Sequence, residues 1–229
     1  MARTDSPLLG ALPIRRRTSA RARRLSLKLD AATGMVELVI PQGCDARKAD
    51  RFVAGNLGWI SARLAELPPR IPFAHGAELP VLGRWLRLHH AARAARAPAR
   101  RNGVLVIGGP GHQLDARVRA WLRETARMAL YQRAHDHAAE VGRRVSGVRI
   151  GDPRSRWGSC SPGGVLSFSW RLVLAPPHVL DYVVAHEAAH LRYMSHGPRF
   201  WALVRRLDPD FESAREWLAR DGAQLHRYG

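Results

Sequence analysis

Two histidines four residues apart with a glutamate beside the first, His186-Glu187-Ala188-Ala189-His190, are the side chains in this sequence best placed to do chemistry. Four residues advance an α-helix by about 6 Å and a little over one turn, so both imidazoles can approach one ion from the same face. Glu187 sits beside that face, where a carboxylate can take a proton from water on the ion without ligating it. A hydrolytic zinc site needs a third protein ligand and one open position. His196 leads for that role: Ser195 and Gly197-Pro198 let the chain leave one helix, present an imidazole and begin another. Glu212 and Glu216 are its rivals, because glutamates on a later helix complete many such sites. The bland alternative is a solvated helix face that carries two histidines by chance. The apolar residues Val184, Ala185, Ala188 and Leu191 on the other side, together with the spaced third histidine, argue against it.

The elements that must position these residues are legible in outline. Pro176-Pro177 open a helix from Val179 to about Tyr193, and a second helix follows Gly197-Pro198. Before them, Leu114 to Val141 repeats apolar residues such as Val118, Trp121, Leu122, Met128 and Ala129 at three- or four-residue intervals, which predicts a long amphipathic helix. His135 and His137 on it are two apart, face different ways and do not chelate together. Val148–Ile150, Arg156–Cys160 and Val165–Leu174 read as strands of a small antiparallel sheet, linked by turns at Asp152-Pro153 and Ser161-Pro-Gly-Gly164.

The first half reads as a mixed, β-rich region. Leu25–Leu29 and Met35–Ile40 form a hairpin turned by Gly34, and Asp45 opens a helix that runs to about Leu67. Leu79–Leu88 and Val104–Ile107 are strand-like, while Ala91–Arg101 is an exposed loop. The expected division is a poorly ordered basic segment at 1–22, a β-rich region at 23–112 and a metal-binding catalytic region at 113–229, or one continuous domain from 23 to 229.

Composition sets outer limits. The chain has 229 residues, 46% of them hydrophobic, enough for a sizeable core. No stretch approaches the roughly 20 consecutive apolar residues of a membrane span, and no apolar run near Met1 resembles a signal peptide, so a cytoplasmic protein without a membrane partner is expected. Cys44 and Cys160 are too far apart in sequence to suggest a disulfide framework or a cysteine zinc site. The formal charge of +18 favours acidic partners, nucleotides or nucleic acid, without choosing among them. Lys28 and Lys48 are the only lysines, an arginine bias that genome base composition alone can produce.

Several segments together resemble the YgjP-like metallopeptidase family, a relative of the SprT-like zincins. They are SRWGSCS at 155–161, LSFSWRL at 166–172, the His186–His190 motif and HGPRFW at 196–201, with weaker matches at His75-Gly76 and Leu82-Gly83. The resemblance implies an α+β, zincin-like core in which the helix carrying the first two histidines packs beside the small sheet, with His196 as third ligand. It also implies that Arg156, Trp157, Gly158 and Ser159 border the active site, where an extended protein or peptide substrate pairs with the backbone, and that Cys160 is packed rather than nucleophilic. Tyr193 stands where metzincins have a turn-forming glycine, so membership of that group is not implied.

The expected chemistry is hydrolysis with one Zn2+ ion, other divalent metals being alternatives. Three neutral imidazoles leave the ion's charge uncompensated, which lowers the pKa of its water toward about 7, with Glu187 as general base. Tyr182, Tyr193, Arg192 or Arg171 could steady the oxyanion. Two other functions fit the same residues. One is nucleoside-triphosphate pyrophosphatase activity, with Arg154, Arg156, Arg171 and Arg192 on the phosphates. The other is a non-catalytic nucleic-acid-binding module with structural zinc.

Overall fold

The computed structural model describes residues 12–30, 34–67, 69–95 and 97–229. Half of the segment expected at 1–22, from residue 1 to 11, lies outside the described residues. The chain divides into two compact units, Met1–Pro69 and Arg70–Gly229. The strands of 78–107 share one hydrophobic core with the long helix and the helix carrying His186 and His190, and so group with the second unit.

In the first unit, β1 (Ile14–Ser19), β2 (Ser26–Asp30) and β3 (Met35–Pro41) form a sheet of order β1-β3-β2, antiparallel between β2 and β3 and parallel between β1 and β3. The expected hairpin is present, with Gly34 at φ 67° in its turn. β1 lies within the segment expected to be poorly ordered; Ile14 lends its side chain to the core and Arg15 and Arg17 both reach Glu37 on β3. Val36 and Leu38 face inward against Ala49, Val53 and Ile60 of α1 (Ala46–Ala54) and α2 (Leu57–Ala65). The single helix expected from Asp45 to Leu67 is interrupted at Gly55-Asn56. Asn56 turns its side-chain amide back onto the Phe52 carbonyl at 2.7 Å, the local competition with backbone bonding that disfavours asparagine within helices.

The second unit holds β4 (Glu78–Val81), β5 (Arg84–His90), β6 (Ala99–Arg101) and β7 (Val104–Ile107) in the order β4-β5-β7-β6. The expected loop at 91–101 thus ends in a short edge strand. Leu82 and Gly83, both at positive φ, turn β4 into β5. α3 (Leu114–Glu140) buries Leu114, Val118, Leu122, Ala126, Leu130, Ala134 and Ala138, one residue in four. Met128, expected on that stripe, faces outward, because the four-residue repeat runs through Ala126 and Leu130 instead. The alanines of the C-terminal half leave room for a neighbouring helix to pack closely.

The second small sheet, β8 (Gly147–Gly151), β9 (Gly158–Cys160) and β10 (Val165–Ser169), has the order β8-β10-β9. β9 and β10 are antiparallel as expected, but β8 runs parallel to β10. Asp152-Pro153 does not close a hairpin, since β10 lies between β8 and β9. β10 is also shorter than expected: the Ser169 hydroxyl accepts from the Arg171 N–H and starts a buried 3-10 turn, Trp170–Leu174. That turn feeds α4 (Pro177–His190), whose residues Val179, Leu180, Val183, Val184, Ala185, Ala188 and Ala189 are buried on nearly every side. α5 (Pro198–Leu207) and α6 (Phe211–Asp221) follow. No helix among the described residues is long and apolar enough to cross a membrane.

Candidate metal centre

α4 carries His186 and His190 in its last turn, and the chain then tightens. The Tyr193 N–H bonds the Ala189 carbonyl at 3.0 Å, which turns the backbone so that His196 comes back over the helix end. Gly197 and Pro198 then start α5. One ligand atom from each of His186, His190 and His196 lies within 4.8 Å of the others. The Nε2 atoms of His186 and His196 are 3.1 Å apart. Two nitrogens bound tetrahedrally at about 2.0–2.1 Å from one ion stand roughly 3.3 Å apart, so this pair is already near ligating separation. The rivals Glu212 and Glu216 are not part of the cluster; Glu212 pairs with Arg205 at 2.8 Å.

The surroundings favour the neutral forms of His186 and His190 and orient the His190 ring. Burial, reinforced by His190, His196 and Arg215, pushes His186 down to about 3, and burial also lowers His190. His190 Nδ1 lies 3.0 Å from the Tyr193 carbonyl, which can only accept, so Nδ1 carries the proton and Nε2 keeps its lone pair. The Tyr182 hydroxyl stands 3.5 Å from His186 Nδ1, a long contact at the other ring nitrogen. Three imidazoles with one ring nitrogen each converging form a donor set suited to a borderline divalent ion such as Zn2+.

Phe200, fully buried on α5, forms the floor: its ring lies 4.5 Å from His190, 4.7 Å from His196 and 4.9 Å from His186, centre to centre. Trp201 flanks His186 and His196, both at 5.8 Å. Neither aromatic is recognisable from sequence as part of the site, because an apolar pair at the start of an amphipathic helix reads as core; its four-residue offset from His196 is the one available signal.

Glu187 is 6% exposed, and its burial, opposed in part by Arg156, raises its carboxyl to about 7. It packs against β9: a Cβ on Gly158 would fall 2.6 Å from the Glu187 Oε1. Of the residues expected along the cleft, Gly158 therefore touches Glu187 and Arg156 acts on it electrostatically, while Ser159 pairs with Ser167 across the sheet. Trp157 stacks on His226 at 5.1 Å and tethers the C-terminal turn. Cys160 is held as a neutral thiol, its pKa raised to about 11 by burial and by Glu187.

Two of the arginines weighed for an oxyanion or phosphate have work within the fold. Arg171, 5% exposed, grips Asp152 through two bonds, at 2.7 and 3.2 Å, and donates to the carbonyls of Leu225 and Tyr228. Arg192 donates to the Val141 carbonyl beyond the end of α3 at 3.0 Å. Arg171 is thus committed to the fold rather than to an oxyanion or a phosphate, whereas Arg192 is exposed and holds the Val141 carbonyl with one guanidinium nitrogen.

Comparison with known proteins bears on this geometry. The model of the YgjP-like, metallopeptidase domain family matches residues 23–221. The chain belongs to the YgjP-like metallopeptidase family. The match takes in both units and every histidine of the cluster. Among solved structures, this YgjP-like metallopeptidase is similar to the metallopeptidase zymogen of Pyrococcus abyssi abylysin, with 24% identity, a TM-score of 0.35, and coverage of 45% of this chain and 97% of that one. No curated protein matches.

Proposed function

We infer that this YgjP-like metallopeptidase is a zinc-dependent hydrolase of peptide bonds, with His186, His190 and His196 as the metal ligands and Glu187 as general base. The observation that carries the reading is the convergence of three imidazole nitrogens beside one buried carboxylate. A divalent ion held there would supply the Lewis acid that acidifies water and polarises a carbonyl.

The chain's own residues do the rest. The Glu187 carboxylate takes a proton from the attacking water as the new C–O bond forms, then delivers it to the departing amine nitrogen as the C–N bond breaks. Its raised pKa suits it to both transfers near neutrality, since a proton accepted there is neither trapped nor refused. β9 is an edge strand, and its Gly158 abuts Glu187, so an extended peptide added along that edge would run past the base.

The test compares zinc-loaded wild type and Glu187→Gln on a panel of unfolded proteins and nucleoside triphosphates. Peptide fragments from wild type, reduced by about 10²–10⁴-fold in Glu187→Gln, are expected. Pyrophosphate release without fragments would assign the site to phosphoanhydrides instead.

A further inference from the structure

A second cleft lies wholly within the N-terminal unit, about 890 Å3 in volume, between the β1–β2 connection and the first turns of α1. Arg23 and Arg24 border it on one side; Lys48 and Phe52, one turn apart on α1, border it on the other. Asp45 is the only acid in its lining, and that carboxylate already accepts the Arg47 N–H as the helix cap.

The three cations of this lining differ from Arg15, Arg16, Arg17 and Arg63, and among the described residues they share their lack of a carboxylate partner with Arg21, Lys28, Arg47 and Arg51; what sets them apart is that they border one cleft. Arg15 and Arg17 share Glu37, Arg16 pairs with Asp50, and Arg63 pairs with Glu66. Arg23, Arg24 and Lys48 have no carboxylate partner among the described residues, and all three are exposed. Their charge is therefore open to a ligand rather than spent within the fold. Phe52 is half-buried with its ring at the cleft, and Gly43, at φ 78°, leaves space around its Cα where a side chain would meet nothing within 4 Å. Unpaired cations around one cleft with a ring at its wall suit a phosphodiester strand, which presents repeated negative charge and bases that stack. A phosphodiester strand engages both the cations and the ring, whereas a peptide of acidic side chains alone engages only the cations.

We propose that the cleft formed by Arg23, Arg24, Lys48 and Phe52 binds the phosphate backbone of single-stranded nucleic acid. This is separate from the hydrolytic reading, since it uses none of the residues of the metal centre.

The experiment is fluorescence anisotropy of a labelled single-stranded oligonucleotide with the full chain, at several salt concentrations. Arg23→Ser/Arg24→Ser/Lys48→Ser is compared with wild type and with Arg84→Gln/Arg87→Gln/Arg143→Gln, which removes equal charge from exposed positions elsewhere. The cleft variant is expected to bind about tenfold or more weakly, with a log–log salt slope shallower by about 2. The control variant is expected to stay within about threefold of wild type, and the charge-retaining Arg23→Lys/Arg24→Lys/Lys48→Arg to bind like wild type. Circular dichroism checks that each variant is folded. Absence of binding by wild type, equal loss in cleft and control variants, or displacement of the oligonucleotide by polyglutamate or ATP at equal charge concentration would each overturn the proposal.

Discussion

Gly158 and Glu187 are packed so closely that a Cβ on the glycine would lie 2.6 Å from both Cγ and Oε1 of the glutamate. The strand is in effect cut away where the carboxylate sits. Gly158 has no positive φ to explain the residue type, so its role is steric. Gly158→Ala is expected to push Glu187 aside at a cost of about 1–3 kcal/mol and to reduce hydrolysis by tenfold or more. Zinc content should be unchanged, since the ligands are on α4 and the loop after it. Full activity in this variant, measured by kcat/KM, would show that the base tolerates displacement.

Metal removal should lower stability without unfolding the chain. α4 is buried along its length by apolar side chains, so its helix does not depend on the ion. A ligand held at 100 times its Kd contributes about 2.7 kcal/mol, which corresponds to a fall in Tm of roughly 5–10 °C on chelation for a protein of this size. Calorimetry with and without chelator measures this directly. Loss of the cooperative transition would mean that the metal is a structural requirement.

Acid should release the C-terminal turn. Burial alone would raise the Asp152 carboxyl, but the bonds and charge of Arg171 outweigh it and hold the group below its ordinary 3.8. A carboxyl depressed in the folded state stabilises at pH above 3.8 and loses that contribution as pH falls through the lower folded value. The stability difference between wild type and Asp152→Asn, followed by urea unfolding, should therefore be constant from pH 5 to 7 and shrink below about 4. A difference independent of pH down to 3 would show that the pair contributes no net charge interaction.

Legibility followed range along the chain. The His186–His190 pair is readable because its geometry is local: one helix turn fixes it, and prolines mark where that helix begins. His196 is nearly as local, since the chain has only five residues in which to turn back. Phe200, by contrast, joins the site through packing that no periodicity announces. Arg171 is in sequence only one of several cations that could lie near the reaction, yet the Asp152 segment and the C-terminal turn both converge on it as a buried anchor, and that convergence is a property of the tertiary fold alone. The parallel pairing of β8 with β10 is hidden for the same reason: turn residues fix that the chain bends, not which strand later fills the gap.

The central claim is that three histidines and no sulfur hold the metal, and zinc-edge X-ray absorption of the loaded protein tests it most directly. The account predicts multiple scattering from three imidazoles with a light-atom fourth neighbour, falling to two imidazoles in His196→Ala. A sulfur shell from Cys160 or Cys44, or a spectrum unaltered by His196→Ala, would contradict it.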